Sequence, residues 1–136
     1  MKKIFVDTDI IIDLLSGRKP HYEFAAELFS CADEGNIKIA VSALSFANVN
    51  YIVSKQYSAD QARKKLLKFK ALVTVMAVDN KIIELALASD FKDFEDAIQY
   101  YTALENGINI LLTRNLKDFK KAEITVLTAE QYLNTL

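Results

Sequence analysis

Cysteine, histidine, proline and glycine are all scarce in this sequence. The 136 residues include one cysteine, one histidine, one proline and three glycines. A single cysteine excludes an intrachain disulfide, and one cysteine with one histidine argues strongly against a structural zinc site. So little proline and glycine also argues against flexible linkers and low-complexity tracts. We therefore expect one domain spanning residues 1–136, working in the cytoplasm.

Long apolar runs and a large charge excess are missing as well. The apolar runs are about five to seven residues long, too short to cross a membrane, and the N-terminus does not have the pattern of a signal peptide. The net charge of −1 excludes a protein that coats nucleic acid through bulk charge. It leaves room for an enzyme that holds a short stretch of RNA at a local basic patch.

Strand-like and helical segments alternate along the chain. We predict strands at residues 3–6, 37–41, 73–78, 108–113 and 124–127. We predict helices at residues 9–16, 20–34, 42–57, 59–72, 79–89, 93–106, 115–120 and 128–136. The strands are continuously apolar, which is typical of a parallel sheet covered by helices on both faces. The pattern therefore predicts an α/β fold with three α/β/α layers around a central, mostly parallel five-stranded sheet.

Helix boundaries carry recognisable signals. Gly17, Gly35 and Gly107 each stand where a helical pattern stops, which predicts left-handed C-terminal caps. Ser42 and Asp79 each stand where a helical pattern starts, which predicts N-caps.

Polar side chains collect where the predicted strands end. In open parallel sheets, ligands bind outside the carboxyl ends of the strands. Carboxylate and amide oxygens are the ligands preferred by Mg²⁺ and Mn²⁺. The sequence therefore predicts a divalent-metal site built from a set of acids, amides and hydroxyls, namely Asp7, Thr8, Asp9, Asn48, Asp93, Glu95, Asp96, Thr113, Asn115 and Asp118.

Several of these residues also have a purely structural interpretation. Asp93 and Asp96 occupy the N-cap and third positions of a predicted helix, and Asn115 and Asp118 repeat that spacing. Acids there satisfy free N–H groups and oppose the helix dipole. For either pair taken alone, capping is the better explanation.

Capping explains Asp7 less well, because Thr8 and Asp9 after it are themselves good caps. A carboxylate at the end of a central strand must be paired, hydrogen-bonded or metal-bound. Asn48 lies on a largely apolar helix, and a buried amide needs partners. Two interpretations of Asn48 remain open: it lines the cleft, or it ties the helix to a loop inside the core.

Four segments, in order, resemble the motifs of PIN domains, in particular the toxin-like bacterial ribonucleases of the VapC type. They are residues 6–15 (VDTDIIIDLL), 42–48 (SALSFAN), 93–99 (DFEDAIQ) and 112–119 (LTRNLKDF). Their order and spacing hold across the whole chain. The resemblance implies a Mg²⁺- or Mn²⁺-dependent ribonuclease, often the toxin of a toxin–antitoxin pair.

The resemblance also implies site residues. Asp7 matches the first metal-binding acid of the family, Asp96 the third, and Asn115 the fourth position. Asn48 stands at the second position, where the family has Glu. These four residues are the predicted catalytic group, and the residues expected to support them are Thr8, Thr113, Asp118 and Glu95.

Asn48 brings no charge, so we expect it to weaken metal binding. On a helix, Asp93 shares a face with Asp96, whereas Glu95 points about 100° away from Asp96. We therefore predict Asp93, with Asp7 and Asp96, as a metal ligand.

RNA requires a cationic approach to this site. Arg114 and Lys117 border the predicted cleft, so we predict that they meet the substrate. The basic run at residues 63–70 is interpreted as a solvated helix face. The family resemblance further implies an antitoxin protein as partner and is compatible with a homodimer.

Three other classes of protein compete with this interpretation. A haloacid-dehalogenase phosphatase needs a late Gly-Asp segment, and no glycine here precedes Asp. A receiver domain needs a lysine at the end of the last strand, where Leu127 and Thr128 stand. The rival from a different class is a PIN-fold RNA- or protein-binding module whose metal site is weakened at Asn48 and which has no catalysis.

Overall fold

Pairs of helices separate the first four strands. The computed structural model describes residues 2–136. The elements are, in chain order, β1 (Lys2–Val6), α1 (Thr8–Ser16), α2 (Tyr22–Asp33), β2 (Ile37–Ser42), α3 (Ala43–Gln56), α4 (Ala59–Lys70), β3 (Thr74–Met76), α5 (Asn80–Leu87), α6 (Phe94–Glu105), β4 (Ile110–Leu112), a 3₁₀ turn (Leu116–Phe119), β5 (Thr125–Leu127) and α7 (Ala129–Leu133).

The strand order of the sheet is β3-β2-β1-β4-β5, and every neighbouring pair is parallel. The chain moves outward from β1 to β3 and then returns to lay β4 against the free side of β1. Val6 pairs with Leu112 in this junction. The strand order therefore reverses between β1 and β4, and in folds of this kind the reversal opens a crevice at the carboxyl ends of the two strands.

Both faces of the sheet are buried. Ile4 and Val6 of β1 pack with residues of α1, α2, α3, α4 and α7. Phe5, between them, faces the opposite side and packs with α6 and the 3₁₀ turn. This alternation explains why the strands are apolar at every position, and it confirms the predicted three-layer α/β/α architecture.

The predicted caps are present. Gly17, Gly35 and Gly107 have φ angles of 66°, 84° and 69°. The Ser42 hydroxyl accepts from the Ser45 N–H at 3.2 Å, and Asp79 Oδ1 accepts from the Ile82 N–H at 3.1 Å. The predicted capping residues therefore begin or end these helices, through hydrogen bonds and backbone conformations within a few residues of the cap.

Several predicted strands and helices were longer than the observed ones. The third strand has three residues, because it lies at the edge of the sheet and pairs only with residues 40–42 of β2. The fourth begins at Ile110 rather than at 108, the last helix ends at Leu133, and the helix predicted at 115–120 is a 3₁₀ turn. Within residues 2–136, no helix combines the length and the apolar character that crossing a membrane requires.

Candidate metal centre

Asp7 lies at the point where the strand order reverses. Its backbone N–H donates to the Leu112 carbonyl at 2.9 Å, which continues the pairing of β1 and β4 by one residue. Its side chain is 5% exposed. Oδ1 accepts from the Thr8 N–H at 2.8 Å, and Oδ2 accepts from the Thr113 hydroxyl at 2.9 Å. Asp7 is therefore the N-cap of α1, a role that the sequence had suggested for Thr8 or Asp9.

Asp9 belongs to the same centre. Its Oδ2 accepts from the Arg114 N–H at 2.9 Å, and from Thr113 Oγ1 and Asn115 Nδ2 at 3.3 Å each. Its Oδ1 is buried and has no hydrogen-bond partner among residues 2–136. The sequence placed Asp9 among the polar residues at the strand ends and also as a possible cap, without naming its partners. The signal for its site role was its position two residues after Asp7, at the start of the same helix.

The two residues predicted to approach RNA, Arg114 and Lys117, have different surroundings in the structure. Arg114 donates from Nε to Asp13 Oδ2 at 2.8 Å, and Asp13 is 1% exposed. Its side chain is thus held against α1. Lys117 instead lines a groove of about 360 Å³ that includes Asp96. The other lysines lining that groove are Lys92, Lys120 and Lys121.

A buried polar network joins the three helices around the centre. Gln99 on α6 donates from Nε2 to Thr8 Oγ1 at 3.0 Å and to Ser45 Oγ at 2.8 Å. The Thr8 and Ser45 hydroxyls are 2.9 Å apart and hydrogen-bonded. Gln99 and Ser45 were missed in the sequence. Their only signal was a polar residue inside an apolar stretch, which by itself does not name a partner.

The start of α6 supplies the acids opposite Asp7. Asp93 caps the helix, accepting on Oδ1 from the Asp96 N–H at 2.9 Å, so its capping interpretation is confirmed. Asp96 is half-buried and Glu95 is exposed. Asn115 makes no side-chain cap to the 3₁₀ turn and instead donates to Asp9.

The acids of the centre resist ionisation. Burial raises the pKa of Asp7 to about 8, and the charge of Asp9 adds to it. Burial raises the pKa of Asp96 to about 7, with further contributions from nearby carboxylates led by that of Asp93. Burial also raises the pKa of Asp9. Clustered acids of this kind favour either a proton or a cation.

Asn48 faces the start of α6. Its Nδ2 is buried, and no hydrogen bond of ordinary geometry satisfies it within residues 2–136. The amide nevertheless lies close enough to Glu95 to lower the pKa of that carboxyl, against burial and Asp93, which raise it. This position favours the interpretation in which Asn48 lines the cleft over the one in which it ties the helix to a loop inside the core.

The donor set fits a hard divalent ion. Within residues 2–136, no three His, Cys, Asp or Glu side chains converge tightly enough to form a metal cage. Mg²⁺, however, keeps several waters and is often bound through one or two carboxylates together with substrate phosphates. Asp7 and Asp96 provide such carboxylates, and the unpartnered Oδ1 of Asp9 adds a buried acceptor.

The fold and the site together define a class: a doubly wound parallel α/β domain with an acidic centre at the reversal of strand order. A family model described as PIN domain matches residues 3–117. The chain therefore belongs to the PIN-domain family, as its four motifs had indicated. This family generally uses divalent metals.

Three relatives illustrate the similarity. Ribonuclease VapC1 of Aquifex aeolicus is 27% identical over 139 residues, covering 96% of this chain and 93% of that protein. A toxin–antitoxin complex from Klebsiella pneumoniae contains a chain that is 26% identical, with a TM-score of 0.69 and coverage of 93% and 97%. VapBC-1 from nontypeable Haemophilus influenzae has a TM-score of 0.71 at 17% identity, covering 94% of this chain and 98% of that one.

Proposed function

We propose that this chain, acting as one domain over residues 1–136, is a Mg²⁺- or Mn²⁺-dependent ribonuclease that hydrolyses RNA phosphodiester bonds. The observation that carries the proposal is the meeting of Asp7, Asp9 and Asp96 at the reversal of strand order, where the charges of Asp9 and Asp96 both raise the pKa of Asp7. The similarity to Ribonuclease VapC1 over nearly the whole chain supports the same activity.

The proposal gives each polar residue a role. Asp7 and Asp96 hold the ion, and Asp93 is a further ligand predicted from the sequence. Asn115 and Asn48 offer neutral groups that orient water or RNA. Thr113 fixes the Asp7 carboxylate through its hydroxyl, and the remaining supporting residues are Thr8, Asp118 and Glu95.

The chemistry is metal-assisted hydrolysis. A divalent ion held by Asp7 and Asp96 would lower the pKa of a nearby water and offset charge on the leaving oxygen. The chain itself provides preorganised carboxylates, because Asp7 is held by two hydrogen bonds before any ligand arrives. The groove lysines, including Lys117, attract the RNA phosphates, while Arg114 acts there only if it leaves Asp13.

We also propose the biological setting. The chain is the toxin of a toxin–antitoxin pair and meets an antitoxin protein, by similarity to the Klebsiella pneumoniae complex. It works in the cytoplasm, in keeping with its single cysteine. A homodimer remains a prediction from family resemblance.

An RNA-cleavage assay tests the enzymatic proposal. Purified full-length protein is incubated with RNA and Mn²⁺, with and without chelator, alongside Asp96→Asn and the matched surface control Asp33→Asn. We expect metal-dependent cleavage by the wild type and by Asp33→Asn, and a loss of roughly 100-fold or more in Asp96→Asn. Cleavage by Asp96→Asn at the wild-type rate contradicts the assignment.

The uncharged Asn48 favours one alternative, a PIN-fold RNA- or protein-binding module with a weakened metal site. Calorimetric titration with Mg²⁺ and an RNA-binding measurement distinguish the two functions. RNA binding without metal binding or cleavage establishes the module. Metal binding accompanied by cleavage establishes the enzyme.

A further inference from the structure

A small cavity lies beside the acidic centre, between α1, α2, the start of α7 and the segment that follows β4. Its volume is about 140 Å³. Its apolar lining includes Ile10, Phe24 and Ala129, and its polar lining includes Arg114 and Glu130. A concave, largely apolar site with a few convergent polar groups is the usual form of a pocket for a small organic group.

Arg114 connects this cavity to the acidic centre. Its backbone N–H donates to Asp9 Oδ2 at 2.9 Å, whereas its side chain lines the cavity. The preceding residue, Thr113, donates its hydroxyl to Asp7 at 2.9 Å. The cavity therefore adjoins the acids proposed to hold the ion, where a nucleotide of the bound RNA can enter it.

The Arg114 side chain is held in a fixed orientation. Its Nε donates to Asp13 Oδ2 at 2.8 Å, and Asp13 is 1% exposed. Moving Arg114 away would leave that buried carboxylate without its cation, which is strongly unfavourable. Among residues 2–136, the hydrogen bonds of Arg114 use only its backbone N–H and Nε. The two Nη groups therefore remain available as a rigid pair of donors.

The charges around the cavity favour a neutral ligand. The guanidinium of Arg114 is balanced by Asp13, and Glu130 adds a second carboxylate to the lining. A phosphate or a carboxylate would be repelled by both acids, and a lysine or arginine from a protein partner would be repelled by Arg114. A flat, neutral group with acceptors for Arg114 and donors for Glu130 fits better. Unpaired RNA bases have these properties, and proteins bind them through aromatic side chains and the polar base edges.

Guanine matches this arrangement of donors and acceptors. It presents two neighbouring acceptors, O6 and N7, with which arginine pairs bidentately, and its N2 amino group is a donor. We propose that the cavity is a nucleobase subsite that selects guanine, with Arg114 donating to O6 and N7, Glu130 accepting from the amino group, and Phe24 contacting the base. The proposal rests on the ribonuclease activity argued under Proposed function and names its base preference. Arg114 is thus a specificity-determining residue that acts while still bonded to Asp13.

RNA binding by full-length Asp96→Asn protein tests the subsite. The probes are oligouridines of about eight nucleotides that carry a single guanine, 7-deazaguanine, adenine or cytosine. We expect fluorescence anisotropy to show the guanine RNA bound about tenfold more tightly than the adenine and cytosine RNAs, the discrimination expected of one bidentate contact. 7-Deazaguanine lacks the N7 acceptor, so we expect its RNA to bind at least about threefold more weakly than the guanine RNA.

Arg114→Lys and Arg63→Gln form the variant and its control. Lysine keeps the positive charge but lacks the two-donor fork, so we expect the guanine preference to fall below about threefold and 7-deazaguanine to bind like guanine. Arg63 lies on the exposed surface of α4, and its substitution should leave the preference unchanged.

A second variant keeps the test decisive if Arg114→Lys does not fold, which urea unfolding shows. Phe24→Leu preserves an apolar side chain and removes the aromatic ring. We expect it to weaken binding of the guanine RNA about three- to fivefold. Unchanged affinity in Phe24→Leu, together with equal binding of guanine and 7-deazaguanine, would rule the subsite out.

The remaining outcomes separate the subsite from the function on which it rests. Loss of the guanine preference in Arg114→Lys but not in Arg63→Gln supports the subsite. Equal weakening of all four RNAs in Arg114→Lys would make Arg114 a phosphate contact and overturn it. The absence of any guanine preference overturns it as well, but metal-dependent cleavage of the same RNAs by the wild type would leave the ribonuclease proposal intact. A wild-type protein that neither binds nor cleaves them overturns both.

Discussion

Asp7 combines a structural and a chemical role in one side chain. One of its oxygens caps α1 through the Thr8 N–H, and the other accepts the Thr113 hydroxyl. Two hydrogen bonds satisfy a buried carboxylate only in part, because each of its oxygens can accept more than one. The residue is therefore held in place yet retains acceptor capacity for a ligand.

The raised pKa of Asp7 predicts how stability depends on pH. With a pKa of about 8 in the folded protein, against 3.8 for the unperturbed side chain, Asp7 keeps its proton in the folded state over a pH range where the unfolded chain releases it. The folded state binds more protons between about pH 4 and 8. The free energy of unfolding of the metal-free protein therefore falls as pH rises through this range.

Asp7→Asn removes this titration. We expect the variant to match the wild type near pH 4 and to become more stable than it as pH rises, by roughly a few kcal/mol near pH 8.5, because asparagine leaves no charge to bury. Urea denaturation at the two pH values measures the difference. Asp60→Asn, an exposed acid on α4, should leave the pH dependence unchanged. A wild-type pH slope in Asp7→Asn contradicts the pKa assignment.

At the scale of elements, α1, α3 and α6 are held by side chains rather than by extensive packing alone. Gln99, from α6, connects the other two helices through Thr8 and Ser45, and it is fully buried. Each of these three helices also carries residues of the candidate centre. The network therefore fixes the relative positions of Asp7, Asn48 and Asp96, residues that lie far apart in the sequence.

The end of α1 offers a test of local conformation. Gly17 has φ = 66°, and a Cβ added there would meet nothing within 4 Å. Any loss in Gly17→Ala is therefore conformational rather than steric packing against neighbours. We expect the free energy of unfolding to fall by about 1 kcal/mol in Gly17→Ala and by less in Gly17→Asn, because asparagine tolerates the left-handed region.

Urea denaturation at constant pH checks this prediction. Because position 17 is exposed, solvation changes little between the two variants. Equal stability of Gly17→Ala and the wild type would show that the turn adopts another conformation.

At the scale of the whole molecule, the net charge of −1 does not indicate which surface would meet RNA. Three of the four lysines lining the groove lie at positions 117–121, directly after β4 and beside Asp96. The run at positions 63–70 lies on α4 instead, where Lys64 pairs with Asp60 at 3.1 Å on an exposed surface. The groove lining also includes four acids, Asp90, Asp93, Asp96 and Asp118, so we expect individual lysines rather than a net positive charge to guide RNA to the site.

Lys117→Ala tests this distribution in the Asp96→Asn background, which is expected to bind RNA without cleaving it. We expect RNA affinity to fall about three- to tenfold, and the slope of log K against log salt concentration to decrease by about one. Fluorescence anisotropy at several salt concentrations measures both quantities. Lys64→Ala is the control, and an equal effect of that substitution would place the RNA on α4.

Much of the fold was readable from local patterns. Residues 4–6 are buried on both sides of the sheet, so their unbroken hydrophobicity predicted a covered parallel strand. Gly17, Ser42 and Asp79 ended or began helices through contacts within a few residues. Asp7 and Asp96 were predicted to share one edge because strand ends and helix starts meet there in such a sheet, and in the structure the charge of Asp96 raises the pKa of Asp7.

Other features depended on contacts that no local pattern contains. The bond from Thr113 to Asp7 spans 106 residues, and that from Gln99 to Thr8 spans 91. The contacts of Asp9, the Gln99 network and the pairing of Arg114 with Asp13 were not predicted for this reason. Their roles depend on which helix and which loop lie opposite, and the strand order decides that.

The sequence by itself determined the alternation of elements, their caps, the covered parallel sheet and the supply of oxygen ligands at one edge. These properties follow from side-chain burial and from hydrogen bonds between near neighbours. Only the tertiary structure decided that β1 and β4 are adjacent, that Asp7 and Asp9 share Thr113, and that Gln99 bonds both Thr8 and Ser45. These features depend on packing between segments that are distant in sequence. The neighbours brought together by that packing determine whether an acid caps a helix, binds a ligand or remains solvated.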